Sequence, residues 1–365
     1  MAADRQSRRP TTIYSVAQLA GVSIATVSRV LQGTTPTSAR ARENVLRAVE
    51  ALDSVPLQAA RSLAVRQHEA HGLVVPDLSG PYYCELLMGY ESAAAELGQS
   101  VVIVVTHLRK DPTRAVRELS GRVDGLVVAN STISDVAARS IGRHTPVVLL
   151  ARPAVPGCDA ISAENTNNAR ALTAHLLAHG RRRLLFVGDP QGSPDVEQRH
   201  RGFTTALAES DLPAAGPAIR VSFLESSGAD VATQVAGLPT PPDALVCAND
   251  ELALSTMKAL QRAGVRVPDD IAVVGWDDVM TARYVTPGLT TVRQPLHELG
   301  RAAAHRLHER IAGDHTVPEP LILLSELVLR ASCGCPATDD RDAPHISTDS
   351  KTTATGPSPT KELQR

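Results

Sequence analysis

Apolar positions in the first fifty residues recur at helical spacing in three short runs, each closed by a turn signal. Val16, Leu19 and Ala20 make one face. Ser15-Val16-Ala17-Gln18 has the spacing of a capping box, a serine oxygen for an orphan N–H with a glutamine three residues on. Gly21 breaks that run, Ser23 is placed to cap the next, and Val27, Val30 and Leu31 give its buried face before Gly33. A third helix is expected from Ser38, with Val45, Val49 and Leu52 in register and Pro56 as its stop. From residue 71 the rhythm changes. Short apolar runs (Leu73–Val75, Val101–Val105, Gly125–Val128, Val147–Leu150, Leu184–Val187, Ala244–Cys247, Ile271–Val274) alternate with amphipathic helical stretches. Strands that are apolar at every position and separated by helices predict parallel sheets buried on both faces. Roughly 260 residues of this alternation exceed one sheet, so an α/β core of two Rossmann-like lobes is expected behind the all-α N-terminal unit.

Composition changes this picture in one respect. Residues 1–70 carry nine Arg, no Lys and five acids, a net charge of +4, which leaves −6 for the remainder of a chain whose total is −2. A basic end on an acidic body fits a nucleic-acid-binding module joined to a different kind of domain. No stretch of 18 apolar residues is present, so no membrane span is expected. The arginine-rich start has no apolar segment behind it, which excludes a secretory signal and points to the cytoplasm. The five cysteines are odd in number and sit mostly in apolar contexts, as reduced thiols do. Cys333-Gly334-Cys335 would be half of a metal site. No second ligand pair follows nearby, so neither a metal nor a cofactor is expected.

Two helices joined through Ala20-Gly21-Val22-Ser23 form a helix-turn-helix arrangement, whose second helix enters the major groove of DNA. Its exposed face would offer Ile24, Ala25, Thr26, Ser28 and Arg29. Arg29 has the rigid fork that reaches guanine O6 and N7, and Ile24 and Ala25 suit close approach to a thymine methyl. Serine and threonine hydroxyls suit phosphates. A three-helix bundle used only for protein contacts is the plainer alternative.

The run Thr12-Ile13-Tyr14-Ser15-Val16-Ala17-Gln18-Leu19-Ala20-Gly21-Val22-Ser23-Ile24-Ala25-Thr26-Val27-Ser28-Arg29-Val30-Leu31 resembles the headpiece of the LacI/GalR family of bacterial regulators. The likeness continues in order through Ala59-Ala60-Arg61-Ser62-Leu63, Val74-Val75-Pro76-Asp77 and Arg199-His200-Arg201-Gly202-Phe203. It also takes in Ala248-Asn249-Asp250, Val274-Gly275-Trp276-Asp277-Asp278 and Leu289-Thr290-Thr291-Val292-Arg293-Gln294. The resemblance implies a disordered basic arm (1–11), a DNA-binding headpiece (12–55) and a hinge helix with linker (56–70). A two-lobed, periplasmic-binding-protein-like effector and dimerisation core (71–336) and a disordered tail (337–365) follow. It implies DNA contacts from Thr12, Tyr14, Ser23, Ile24, Ala25, Thr26, Ser28, Arg29, Gln32, Ala60 and Leu63, with Leu63 as a minor-groove wedge that kinks the duplex. The partners implied are a pseudo-palindromic double-stranded operator, a sugar effector and a second copy of the chain, on the nucleoid. Asp53-Ser54 and Leu57 stand where the family usually has Gly-Tyr and Asn, so the hinge helix is expected to form less readily off DNA.

In a two-lobed α/β core small molecules bind at strand C-termini, in the cleft between lobes. That rule selects Ser79–Tyr83, Arg152, Asn249-Asp250 and Asp277-Asp278. The resemblance implies effector contacts from Tyr82, Tyr83, Arg199, Asn249, Asp277 and Gln294, with Trp276 as core packing. Ala151-Arg152-Pro153 stands where many sugar-responsive members have Asp-Arg-Pro. One sugar-hydroxyl acceptor is therefore missing, and a larger saccharide or a sugar-like ligand is expected. Two other classes compete. A periplasmic sugar-binding protein would share the core but has no headpiece. A glycoside hydrolase would use Asp250, Asp277 and Asp278, yet no nucleophile motif, metal cluster or phosphate loop accompanies them, so no catalytic residue is assigned.

Overall fold

The computed structural model describes residues 12–32, 37–52, 68–314, 316–336 and 345–346, the backbone alone for residues 31, 32, 50, 345 and 346. Three helices, α1 (Ile13–Ala20), α2 (Ile24–Gln32) and α3 (Ala39–Ala51), make the headpiece. Helix α1 begins at Thr12 rather than Ser15. The Ser15 N–H donates to the Thr12 carbonyl at 2.9 Å, and the Thr12 N–H donates to Ser15 Oγ at 3.3 Å. Ser15 is thus the third residue of the helix, answering a cap one turn earlier. The buried face is Val16, Ala17 and Ala20, while Leu19 is 54% exposed, a correction to the expected stripe. Gly21, in the left-handed region, ends α1 as expected. Ser38 accepts from the Ala41 N–H at 3.3 Å and starts α3. The arm (1–11), Gly33, Asp53-Ser54, Pro56, Leu57, Ala60 and Leu63 lie outside the described residues, as does the Gln32 side chain.

The core divides into two compact units. In chain order the first contributes β1 (Ala70–Val75), α4 (Pro81–Glu96), β2 (Ser100–Val105), α5 (Pro112–Ser120), β3 (Gly125–Ala129), α6 (Asp135–Gly142), β4 (Val147–Leu150) and β5 (Asp159–Ala163). The second contributes α7 (Thr166–Ala178), β6 (Leu184–Val187), α8 (Pro194–Glu209), α9 (Gly228–Ala236), β7 (Ala244–Cys247), α10 (Asp250–Arg262), β8 (Ala272–Val274) and β9 (Thr291–Arg293). Helix α11 (Leu296–Ile311) then returns to the first lobe, and β10 (Leu321–Leu323), β11 (Glu326–Val328) and β12 (His345–Ile346) complete the strands.

Both main sheets are parallel among their Val/Leu/Ile strands. The first runs β10-β5-β4-β3-β1-β2 and the second β6-β7-β8. Strands β1, β3, β4, β6, β7 and β8 are buried at every position, because helices cover both faces. Val101–Val105 departs from expectation: β2 is an edge strand in which Ser100 and Val102 are exposed and Val104 alone is buried. Side-chain caps start several helices, Asp111 on the Arg114 N–H (2.9 Å) and Ser134 on the Ala137 N–H (3.2 Å) among them. In the first lobe α11 crosses α4 at two glycines. A Cβ at Gly89 would meet the His297 carbonyl oxygen at 2.1 Å, and one at Gly300 the Leu86 carbonyl oxygen at 2.1 Å. Only hydrogen at both positions allows the two backbones that close.

A small antiparallel sheet, β12-β11-β9, adds a further correction. The segment expected to be a disordered tail places His345 and Ile346 opposite Val328 and Leu327. The outer side of β11 is a strand edge, a ready template for such a pairing.

Candidate DNA-reading face and effector site

The headpiece presents α2 by burying one side of it. Val27 and Val30 join Val16, Ala17, Ala20, Val45 and Ala48 in a small core. The other side leaves Ile24, Ala25 and Arg29 exposed and Thr26 and Ser28 half-buried. Ser23 organises the first turn: the Thr26 N–H donates to Ser23 Oγ at 3.1 Å, and the two hydroxyls lie 2.9 Å apart. Thr12 and Tyr14 are exposed at the start of α1. An uncharged first turn followed by one guanidinium is a surface that can approach base edges without a carboxylate meeting phosphates.

In the first lobe Arg152 follows β4 and is buried. It donates from Nη1 to the carbonyls of Asn130 (3.0 Å) and Ile133 (2.9 Å) and pairs through Nη2 with Asp135. Its guanidinium therefore holds the segment after β3. Tyr82 and Tyr83 are half-buried in the first turn of α4, and Asn130 Nδ2 donates to Tyr83 Oη. Asn130 was open to the same strand-end rule, since it follows β3 directly.

The second lobe gathers Arg199, Asp277 and Gln294 around Trp276. Arg199, on α8, is 6% exposed; its Nε donates to Asn165 Oδ1 at 2.8 Å and its Nη1 to the Ala248 carbonyl at 2.6 Å. Its guanidinium carbon stands 4.7 Å from the centre of the Trp276 ring, a cation–π distance. Gln294 Nε2 donates to Asp277 Oδ1 at 2.6 Å, and the Asp277 N–H donates to the Val292 carbonyl at 2.8 Å. Asp277 has φ +120, a conformation a side chain rarely takes, and such strain persists where surroundings over-determine it. Trp276 packs in the core as expected, yet its Nε1 and Gln294 Oε1 are buried with no hydrogen-bond partner among the described residues. Asn249 caps α10, accepting from the Leu252 N–H at 3.2 Å and donating to the Phe223 carbonyl at 3.3 Å.

Burial pushes the Asp277 carboxyl well above the ordinary range; Arg199 opposes the shift and Asp250 adds to it. Asp195, one turn before Arg199, is pushed up to about 6 by burial, against the pull of Arg199 and an Asn165 hydrogen bond. Sequence reasoning missed Asn165 and Asp195; the i, i+4 spacing of Asp195 and Arg199 could have found Asp195, and no local pattern marks Asn165, 34 positions from Arg199. A carboxyl whose folded pKa is raised stabilises the fold below its unfolded value and loses that stabilisation as pH rises through the folded one. Between the ordinary aspartate value of 3.8 and about 6, Asp195 should therefore cost the lobe about 3 kcal/mol as pH rises. Asp195→Asn should remove that part of the pH dependence, read as a smaller loss of thermal stability between acidic and neutral buffer. An unchanged slope would place the titration elsewhere.

Asp250 and Asp278 serve the fold. Asp250 is fully buried and accepts from the Thr291 hydroxyl (2.6 Å) and the Val279 N–H (2.9 Å). Asp278 binds Arg330 Nη1 at 2.7 Å and Arg293 Nε at 2.8 Å.

Residues 12–56 match the family of bacterial regulatory proteins, lacI family, and residues 173–333 match a periplasmic binding protein-like domain. The HTH-type transcriptional regulator GalR of Salmonella typhimurium is 34% identical over 343 residues, covering 92% of this chain and 99% of that one. The chain belongs to the LacI family. It is accordingly a helix-turn-helix transcriptional regulator with a ligand-binding α/β core. Among solved LacI-family structures, the lac repressor dimer bound to operator and the anti-inducer ONPF has a TM-score of 0.76 and 28% identity over 89% of this chain and 99% of that one. The CelR–cellobiose complex has a TM-score of 0.67 and 29% identity over 88% and 99%. Among the described residues no single helix is long and apolar enough to cross a membrane.

Proposed function

We propose that this LacI-family regulator is a cytoplasmic, nucleoid-associated repressor of carbohydrate-utilisation genes. It binds a pseudo-palindromic operator as a homodimer and is released by a small saccharide. The observation that carries the ligand reading is the Arg199–Trp276–Asp277–Gln294 group. Fork donors, a carboxyl, and an indole N–H and an amide oxygen left without partners among the described residues are what a hydroxyl-rich ring requires. CelR, a relative of similar fold, is solved with cellobiose, and Ala151 supplies no carboxylate in the first lobe, so disaccharides are the first ligands to test. Asn249 joins the contacts through its half-buried amide.

On the DNA side, the proposed contacts are Thr12, Tyr14, Ser23, Ile24, Ala25, Thr26, Ser28, Arg29 and Gln32, with Ala60 and Leu63 from a hinge in 56–70. Of the carboxylates that a hydrolase would need, Asp250 and Asp278 are held by Thr291, Arg293 and Arg330 and Asp277 accepts from Gln294, which supports a non-enzymatic reading.

The experiment is selection of bound sequences from random DNA by the full chain, followed by gel shifts with mono- and disaccharides. Twofold-symmetric enriched sites, released by one saccharide that also raises the melting temperature, are expected; saturation at 100 times Kd corresponds to about 2.7 kcal/mol. Asymmetric sites would overturn the dimer. On the selected operator, Leu63→Ala should reduce DNA bending in a circular-permutation gel and weaken binding while leaving the saccharide-induced thermal shift intact. A native complex on straight DNA would remove the wedge.

A further inference from the structure

Helix α7 carries His175 and is followed by His179 as its C-terminal cap, an i, i+4 pair whose ring centroids lie 4.5 Å apart. Against that end of the helix packs the turn after β11, Ala331–Cys333, and the residues that follow it. Cys333 Sγ is 3.4 Å from His175 Nε2, although the two residues are 158 positions apart in sequence. Cys335 Sγ is 3.4 Å from His175 Nε2 and 3.4 Å from His179 Nε2. One ligand atom from each of the four residues lies within 4.8 Å of all the others. Tetrahedral zinc, with bonds of about 2.3 Å to sulfur and about 2.0–2.1 Å to nitrogen, sets its ligand atoms roughly 3.3–3.8 Å apart.

Gly334 has φ +107, and this left-handed residue between the two cysteines lets both sulfurs turn to the same side. Two soft thiols and two imidazoles in tetrahedral reach select zinc over magnesium or calcium, which take oxygen ligands. Cys333 is fully buried and His179 is exposed, so the cluster has a floor and an entry path. All five cysteines are free thiols, and this pair is available to a metal.

We propose that His175, His179, Cys333 and Cys335 bind one zinc ion, which fastens the chain after β11 to the C-terminal end of α7. Four protein ligands close the coordination sphere, so the ion is structural and holds no position for a substrate. Binding releases one proton from each thiol and forms two Zn–S and two Zn–N bonds, with no change of oxidation state. The sequence alone offered half of this set, because the second pair comes from a helix distant along the chain.

The test uses the full chain, reduced, stripped with a chelator and titrated with Zn(II), then with Co(II) without oxygen. Uptake of one zinc per chain, release of about two protons and a higher melting temperature are expected. Cobalt should give the intense ligand-field bands of a tetrahedral site together with thiolate charge transfer. Cys335→Ser and His179→Ala lie on the outer side of the cluster and should each weaken zinc binding by at least about tenfold while circular dichroism stays native. Failure of the folded wild type to take up zinc overturns the proposal. So does a six-coordinate cobalt spectrum, or equal uptake by the Cys335→Ser/His179→Ala double variant.

Discussion

Arg199→Ala is expected to abolish the response to saccharide while operator affinity in its absence stays within about threefold of native. An effector alters DNA affinity only by binding two states of the protein with different free energy, so removing its contacts removes the coupling and leaves the DNA-reading surface in place. Arg199 stands on α8 in the second lobe and takes no part in the headpiece core. A charged hydrogen bond to a ligand is worth about 1.5–3 kcal/mol, so saccharide affinity should fall by about 10- to 150-fold. Deleting one partner of a buried ion pair can cost about 3–5 kcal/mol of stability. Here the loss should be smaller, because burial already favours the protonated forms of Asp195 and Asp277, which can give up their charge. Asp277→Asn, which keeps the shape and the Gln294 contact, separates ligand loss from misfolding. Isothermal titration with the saccharide and a gel shift on the selected operator read the two effects. A variant with native circular dichroism that cannot bind operator without ligand would reverse the proposed sign of regulation, making the saccharide a co-repressor.

Arg29→Ala should produce the other large effect. One bidentate guanine contact is worth about 1–3 kcal/mol, and a dimer on two half-sites loses it twice, about 2–6 kcal/mol in all. The loss should fall on the selected operator and relax preference at one base position per half-site, with binding to unrelated DNA much less affected. Ile24 and Ala25 beside it carry no charge, so Arg29 is the cation that α2 presents on that face. Competition gel shifts against operators mutated one position at a time measure this. Equal weakening on every sequence would make Arg29 a phosphate contact.

The strands that the chain declares most clearly are those with helices on both sides. Val147–Leu150, Leu184–Val187 and Ala244–Cys247 coincide with their apolar runs, since nothing but apolar side chains fits there. Asp159–Ala163 was illegible because its strand opens on an aspartate. Arg310, 151 residues on, satisfies that carboxylate at 2.7 and 2.8 Å, and no local pattern reports such a partner. Leu19 failed for another reason. Three short helices have room for one narrow seam, and the smaller Ala17 takes the inner place. In the site, the strand-end rule found Arg152, Asn249 and Asp277 but could not say which would be occupied by the fold itself. Arg152 is spent on two carbonyls and Asp135, whereas the Asp277–Gln294 pair keeps an acceptor unpartnered.

The crossing of α4 and α11 at Gly89 and Gly300 bears on synthesis. The first lobe needs α11, which comes off the ribosome only after residues 162–295 of the second lobe. At about 5–20 residues per second that is a wait on the order of ten seconds. Throughout it, the surface of β3 and β4 that α11 will cover, Leu307 over Gly125 among its contacts, has no lid. A nascent chain stalled before Leu296 would hold a finished headpiece and an open, aggregation-prone sheet. The earliest products of interrupted translation should therefore be substrates for chaperones rather than truncated repressors able to occupy an operator.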